Sequence, residues 1–133
     1  MKVVNTLLLA LVLATASGCG DNTSAITSIT TVFNSRIQEK GSAWRSIDIT
    51  KAGDVQVQLL SVTQTDVVVN LAIGTIDGTQ CVASQAIDTA ANATASSPQI
   101  TTSLAVGTYC VKVSDIGNLT QTVDFSVYIT QPY

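Results

Sequence analysis

From about residue 30 to its end, the chain is a series of short segments in which apolar and polar residues alternate. In the stretch VQVQL at 55–59, valine and leucine alternate with glutamine, and this period of two is typical of a β-strand with one buried face. Such segments recur about every ten residues, between turn residues, and none has the spacing of an amphipathic helix. The pattern predicts an all-β fold, a single jelly-roll-like β-sandwich of about eight antiparallel strands.

Turn residues give the boundaries of the predicted strands. The strands cover 30–38, 43–50, 55–62, 66–76, a returning strand that begins near Cys81, 99–105, 108–115 and 121–130. The segment 66–76 is the most apolar, which predicts a central strand that is covered on both faces. Asp77-Gly78 predicts a two-residue hairpin with a type I′ turn, which needs positive φ at both positions. The stretch 88–98 has few large apolar residues and is predicted to be a loop.

Composition argues against several classes of function. The 133 residues include 46% hydrophobic and 11% charged residues, and six Lys and Arg stand against nine Asp and Glu, a net charge of −3. No basic cluster is present, so no nucleic-acid partner is expected. The sequence has no histidine, and it therefore lacks the commonest general base and the commonest metal ligand. We expect a protein that is not an enzyme and needs no cofactor.

The N-terminal region has the layout of an export signal. Met1-Lys2 gives a positive start, an apolar run follows from Val3 to Ala14, and small residues come next. A run of about a dozen residues is shorter than the roughly 20 that a membrane-spanning helix needs. Residues 1–18 are therefore predicted to be a signal peptide and not a permanent transmembrane helix.

The end of this region, Ala16-Ser17-Gly18-Cys19, resembles the lipobox of bacterial lipoproteins. In that family the signal peptide is cut before the cysteine, so the resemblance implies that Cys19 carries fatty acyl chains such as palmitate on its sulfur. Ala16 departs from the family pattern, in which leucine is usual at that place. Acyl chains anchor a protein because each buried methylene contributes about 0.8 kcal/mol. The alternative is a plain secretory peptide that leaves Cys19 as an ordinary thiol.

The residues that follow Cys19 bear on location. Residues 19–31 are rich in Ser and Thr with little apolar pattern, and they are predicted to form a flexible tether to a folded domain at 32–133. Gly20 stands where an Asp in Gram-negative lipoproteins commonly signals retention in the inner membrane. We expect an exported protein, held in a membrane of the cell envelope by the lipid on Cys19. That membrane is the outer one if the host is Gram-negative.

The chain has three cysteines, and export permits disulfides. If Cys19 is lipidated, Cys81 and Cys110 are left as one pair with a single connectivity. Such a bridge closes a loop of about 30 residues and stabilises the domain by roughly 3 to 4 kcal/mol in the chain-entropy model. The alternative is two free structural thiols.

Three features occur in the C-terminal half: a Gly-Thr-Tyr step into a strand at 107–109, an Asp/Gly/Asn turn at 115–118, and an alternating last strand at 123–129. With the two strands at 42–61, they resemble the bacterial pre-peptidase C-terminal-type domains. The resemblance implies a small jelly-roll β-sandwich with non-catalytic work at the cell surface, in binding, adhesion or accessory roles. This chain carries no protease domain, so we expect no role toward a fused enzyme.

Candidate site residues are few. Asp115 and Asn118 flank a glycine turn and offer oxygens of the kind that Ca²⁺ prefers, although Asp, Gly and Asn also favour such turns for their φ preferences. We expect no other metal site. Trp44, the only tryptophan, lies in a strand that is otherwise polar on its side. An exposed ring there would be a ligand platform, and a packed one would cover a sandwich edge.

Two functions remain open from the sequence. The first is a lipid-anchored envelope module for binding or adhesion, with an unidentified protein or glycan as partner. The second is a structural subunit of an envelope complex or extracellular assembly, in which edge strands pair with a partner.

Overall fold

The computed structural model describes residues 27–133 and, at 85–88, only the backbone. These residues form no helix and eight strands: β1 Ser28–Ile37, β2 Ser42–Ile49, β3 Gly53–Val62, β4 Val69–Asp77, β5 Gln80–Ala91, β6 Ile100–Leu104, β7 Gly107–Asp115 and β8 Val123–Pro132. The strands lie in two four-stranded antiparallel sheets, sheet A with the order β1-β8-β3-β6 and sheet B with the order β2-β7-β4-β5. The predicted all-β sandwich is confirmed.

The strand pairing follows one long hairpin that is folded on itself. Antiparallel ladders join β1 to β8, β2 to β7, β3 to β6 and β4 to β5, so each strand pairs with its mirror position along the chain. Two further ladders, β3 with β8 and β4 with β7, complete the sheets. This is the strand order of a jelly roll.

The core lies between the sheets and is built by the period-two alternation of the strands. Phe33 of β1 and Phe125 of β8 meet edge to face, with ring centroids 5.2 Å apart. The buried apolar cluster draws on both sheets and consists of Phe33, Ile37, Ile47, Ile49, Val55, Val57, Leu59, Val67, Val69, Leu71, Ile73, Ala91, Ile100, Leu104, Val111, Val113, Leu119, Val123, Phe125, Val127 and Ile129. The alternation read from β3 and β8 in the sequence therefore gives the correct inward faces.

Strand β4 has the central position that was predicted for 66–76. It lies between β7 and β5 in sheet B, and the successive residues Leu71, Ala72 and Ile73 are all fully buried. Because successive side chains point to opposite faces of a strand, both faces of β4 are covered.

The hairpin between β4 and β5 lies one residue away from its prediction. Asp77 pairs with Gln80, so the two connecting residues are Gly78-Thr79 and not Asp77-Gly78. Gly78 has a φ of 58°, and Thr79 is not among the residues of positive φ. A glycine of positive φ at the first central position alone is the signature of a type II′ turn, so the predicted type I′ turn is wrong.

Strand β5 is longer than the sequence indicated. It continues to Ala91, so the prediction of a loop is wrong for 88–91, and the β5–β6 loop covers only 92–99. Ala91 pairs with Val69 in the ladder with β4. Hydrogen bonds to a buried neighbouring strand outweigh the low β-propensity of alanine.

Strand β1 begins earlier than the predicted domain. Its first residue is Ser28, so residues 28–31 of the predicted tether lie in sheet A. The backbone N–H of Tyr133 donates to the carbonyl oxygen of Thr27 at 3.2 Å, which places the C-terminus beside the start of β1.

Candidate binding face

The outer face of sheet A is polar because its strands alternate. The core takes every second residue of β1, β3 and β8, and the residues between them point outward. The ladders align these outward residues in rows. In one row Thr30 lies opposite Thr130, Thr130 opposite Gln56, and Gln56 opposite Thr101. The row carries four uncharged hydrogen-bonding side chains across all four strands.

The next row on this face contains an exposed aromatic ring. Tyr128 of β8 lies opposite Val32 of β1 and Gln58 of β3. Tyr128 is 41% exposed and Val32 is 44% exposed. The two rows line a shallow groove of about 460 Å³, which we call the A-face groove. Its lining residues are Thr30, Val32, Gln56, Gln58, Pro98, Tyr128 and Thr130.

The β5–β6 loop contributes one wall of the A-face groove. The side-chain oxygen of Gln99 accepts a hydrogen bond from the backbone N–H of Leu59 at 2.8 Å, which ties the loop to β3. Gln58 Nε2 donates to the carbonyl oxygen of Ala95 at 3.3 Å. These bonds hold the loop along the sheet, and Pro98 faces the groove from it.

Some polar groups of the A-face groove are used within the protein and others face solvent. The hydroxyls of Thr30 and Thr130 share a hydrogen bond of 2.7 Å. The amide of Gln56 and the hydroxyl of Tyr128 take part in no hydrogen bond to the described part of the chain. Among the side chains that the structure describes, every buried polar atom has a partner. The free groups of the groove are therefore at the surface, where a ligand can reach them.

A second cavity, of about 670 Å³, continues along the same face. Its lining residues are Asn34, Ser35, Arg36, Ser61, Thr63, Asp124, Phe125 and Ser126. Arg36 Nε donates to Asp124 Oδ1 at 2.7 Å. This hydrogen bond holds the pKa of Asp124 below its usual range and raises the pKa of Arg36. These are the only charged side chains in the lining of the two cavities, so that lining has no net charge.

The candidate metal residues Asp115 and Asn118 serve a turn. Asp115 Oδ2 accepts the backbone N–H of Lys40 at 2.7 Å, and Oδ1 accepts those of Gly117, Asn118 and Leu119 at 2.8, 3.1 and 3.2 Å. The bond from Lys40 is the main cause of a lowered pKa of Asp115, and the other three act in the same direction. Among residues 27–84 and 89–133, whose side chains are described, no group of three or more His, Cys, Asp or Glu is placed to hold a metal ion.

Cys81 and Cys110 form the predicted disulfide, with their Cα atoms 5.9 Å apart. Cys81 on β5 lies opposite Ile76, and Cys110 on β7 lies opposite Gly74, so the bridge passes over β4 on the outer face of sheet B. Strands that are two positions apart in a flat sheet lie about 9.5 Å from each other. Because the Cα atoms of Cys81 and Cys110 are only 5.9 Å apart, β5 must fold over β4 at this point. Gly74 permits this, because a Cβ there would lie against the carbonyl oxygen of Val82 and 2.6 Å from its carbonyl carbon.

Trp44 lies away from the A-face groove. It is on β2, an edge strand of sheet B, opposite Lys112. Its side chain is partly buried on the outer face of that sheet. The structure thus separates the one tryptophan from Tyr128 by placing them on different sheets.

The predicted signal peptide at 1–18, the predicted lipid site at Cys19 and the first residues of the predicted tether lie outside the described residues. In the part of the chain that is described, no helix has the length and hydropathy needed to cross a membrane.

No protein-family model matches this chain, and no match was found among curated proteins.

The A-face groove was not predicted from the sequence. Part of the signal was there, in the outward glutamines of VQVQL at 55–59 and in Tyr128 at an outward position of a regular strand. These residues are far apart in the chain. They become one surface only because β8 lies between β1 and β3.

Proposed function

We propose that this chain is a lipid-anchored, non-catalytic binding module of the cell envelope, which presents the A-face groove to its ligand. The observation that carries the proposal is the groove itself. It combines an exposed Tyr128 ring with free hydrogen-bonding groups on the strands of sheet A. Sites built on strands hold their side chains more precisely than sites built on loops.

The chemistry of the groove supports binding over catalysis. Its polar side chains are the hydroxyls of threonine and tyrosine and the amides of glutamine. These groups donate and accept hydrogen bonds, and none of them is an imidazole or a carboxylate, the groups that most often transfer protons in catalysis. The carboxylate nearest to them in the adjoining cavity, Asp124, is already paired with Arg36. The resemblance to pre-peptidase C-terminal-type domains also favours non-catalytic work.

The position of the chain termini is compatible with a lipid anchor. Cys19 precedes Thr27 by eight residues, and eight extended residues span at most about 28 Å. Thr27 lies at the end of the sandwich where β1 begins. A lipid on Cys19 would hold that end near a membrane surface and leave the outer face of sheet A open at the side.

A structural subunit that adds strands to its partner is the alternative function. One observation disfavours it at the β1 edge of sheet A. Arg45 Nη1 on β2 donates to the carbonyl oxygen of Val32 on β1 at 2.8 Å. That contact occupies a backbone acceptor that an added strand would need, and covered edges resist strand addition.

Metabolic labelling with an alkyne analogue of palmitate tests the anchoring. We expect the wild-type chain to take up label and to fractionate with membranes, and the Cys19→Ser variant to do neither. Since Cys81 and Cys110 are joined to each other, neither competes for the label. Absence of label on the wild-type chain would reject the anchored module.

A pull-down from solubilised membranes separates the two functions. Recovery of one protein in fixed stoichiometry would favour the structural subunit. Recovery of the chain without a stoichiometric protein would favour the binding module.

A further inference from the structure

We propose that the A-face groove binds an uncharged polysaccharide, with the ring of Tyr128 stacked on the apolar face of one sugar. This inference rests on the proposed binding function and names the ligand class. Three observations on the outer face of sheet A carry it: the exposed ring, the rows of amides and hydroxyls, and the lack of net charge along two successive cavities.

The exposed ring supplies the platform for a sugar. A pyranose has an apolar face of C–H groups, and an aromatic side chain presents a flat apolar surface of similar size with one polar end. Tyr128 is 41% exposed and is flanked by Val32, which is 44% exposed. A ligand that covers both side chains removes apolar surface from water, which favours binding.

The polar rows supply hydrogen bonds to sugar hydroxyls. Gln56 offers both a donor and an acceptor, and its side chain makes no bond within the described part of the chain. A hydroxyl group is also both donor and acceptor, so amides and hydroxyls match a polyhydroxylated ligand. The match is specific because each polar group that a ligand covers without pairing costs free energy.

The charge of the surface argues for a neutral ligand. The A-face groove has no charged lining residue, and Arg36 and Asp124 in the next cavity neutralise each other. The whole chain has a net charge of −3, which repels anionic polymers. A protein partner would be expected to need a larger apolar centre than Val32, Pro98 and Tyr128 provide.

The continuity of the two cavities argues for a polymer. The A-face groove and the second cavity lie side by side on sheet A, and both are open to solvent. Beyond Tyr128 a further row of small polar groups follows, in which Ser126 lies opposite Asn34 and Ser61. An extended surface of this kind accepts internal sugars of a chain without requiring an end.

Affinity electrophoresis tests the inference with the full-length chain. The protein is run in a detergent that has no sugar headgroup, through gels that contain laminarin, dextran, mannan or galactan, with alginate as the acidic comparison. We expect retardation by at least one neutral polymer and not by alginate. Tyr128→Ser and Gln56→Ala are each expected to weaken binding by about tenfold, whereas Tyr128→Phe keeps the ring and most of the affinity.

Trp44→Ser is the matched control, because it removes an aromatic side chain from the outer face of the other sheet. It should leave retardation unchanged. Thermal unfolding of each variant separates loss of binding from loss of fold, and Gln56→Ala is the informative variant if Tyr128→Ser does not fold.

Two results would overturn the inference. One is that Trp44→Ser loses retardation while the Tyr128 and Gln56 variants keep it. The other is failure of every neutral polymer to retard a folded wild-type chain. In both cases the acylation and pull-down results still judge the proposed function separately.

Discussion

The outer faces of sheets A and B arise from the same alternation of inward and outward residues, but they differ in what covers them. On sheet A the outward residues stand in open rows around Tyr128. On sheet B, β5 folds over β4 at Gly74, and a disulfide lies across the fold. The difference teaches that sheet B is covered by its own chain around Gly74, whereas the rows around Tyr128 on sheet A stay open to a ligand.

This difference between the two sheets leads us to expect different effects of substitutions on stability and on binding. Changes where β5 crosses β4 on sheet B should lower stability, because they loosen the segment that covers β4. Changes on the outer face of sheet A should alter binding and leave stability nearly constant.

The largest effect is expected from removal of the disulfide. The double variant Cys81→Ala/Cys110→Ala should lose about 3 to 4 kcal/mol of unfolding free energy, because its unfolded chain is no longer constrained. Urea denaturation under non-reducing conditions measures the loss. Cys19→Ser is the control and should unfold like the wild type. A loss below about 1 kcal/mol would mean that strand pairing alone holds β5 over β4.

Gly74→Ala should destabilise the protein by about 2 to 3 kcal/mol, because the added methyl group meets the backbone at Val82 and forces β5 outward. Gly107→Ala is the matched control in the same sheet. A Cβ at Gly107 would meet the Tyr109 ring at 3.4 Å, an ordinary contact. Equal denaturation midpoints for the two variants would contradict a close crossing at Gly74.

Asp115→Asn should lower the melting temperature in a manner that depends on pH. Backbone N–H groups, that of Lys40 foremost, hold the pKa of Asp115 below its usual range. The ionised carboxylate therefore stabilises the fold above about pH 4, and this contribution is lost as the pH falls through the lowered pKa. The melting difference between the variant and the wild type should shrink as the pH is lowered below about 4. A difference of constant size at every pH would refute the charged turn.

The smallest effect is expected on sheet A. The side chain of Gln56 is exposed and makes no hydrogen bond to another described residue, so Gln56→Ala should change the unfolding free energy by no more than about 0.5 kcal/mol. Denaturation of the variant beside the wild type measures it. A loss above about 1 kcal/mol would show that the outer face of sheet A is itself a structural surface.

Sequence patterns predicted much of the fold and little of the site. The alternation in β3 and β8 gave their buried faces, and the cysteine count gave the disulfide partners. Local preferences failed at Gly78-Thr79 and at the end of β5, where pairing with the neighbouring strand decides the structure. The A-face groove depends on strand order, which no local pattern specifies. The crossing at Gly74 likewise depends on the path of β5 over β4, which no local pattern specifies.

Amide NMR tests the central claim most directly. The labelled full-length protein is titrated with oligosaccharides of the neutral polymer that retards it most. The account predicts chemical-shift changes concentrated in β1, β3 and β8 around Tyr128, with β2 and β7 unaffected. Changes centred on Trp44 and Lys112, or no change with oligosaccharides of any of the four neutral polymers, would contradict it.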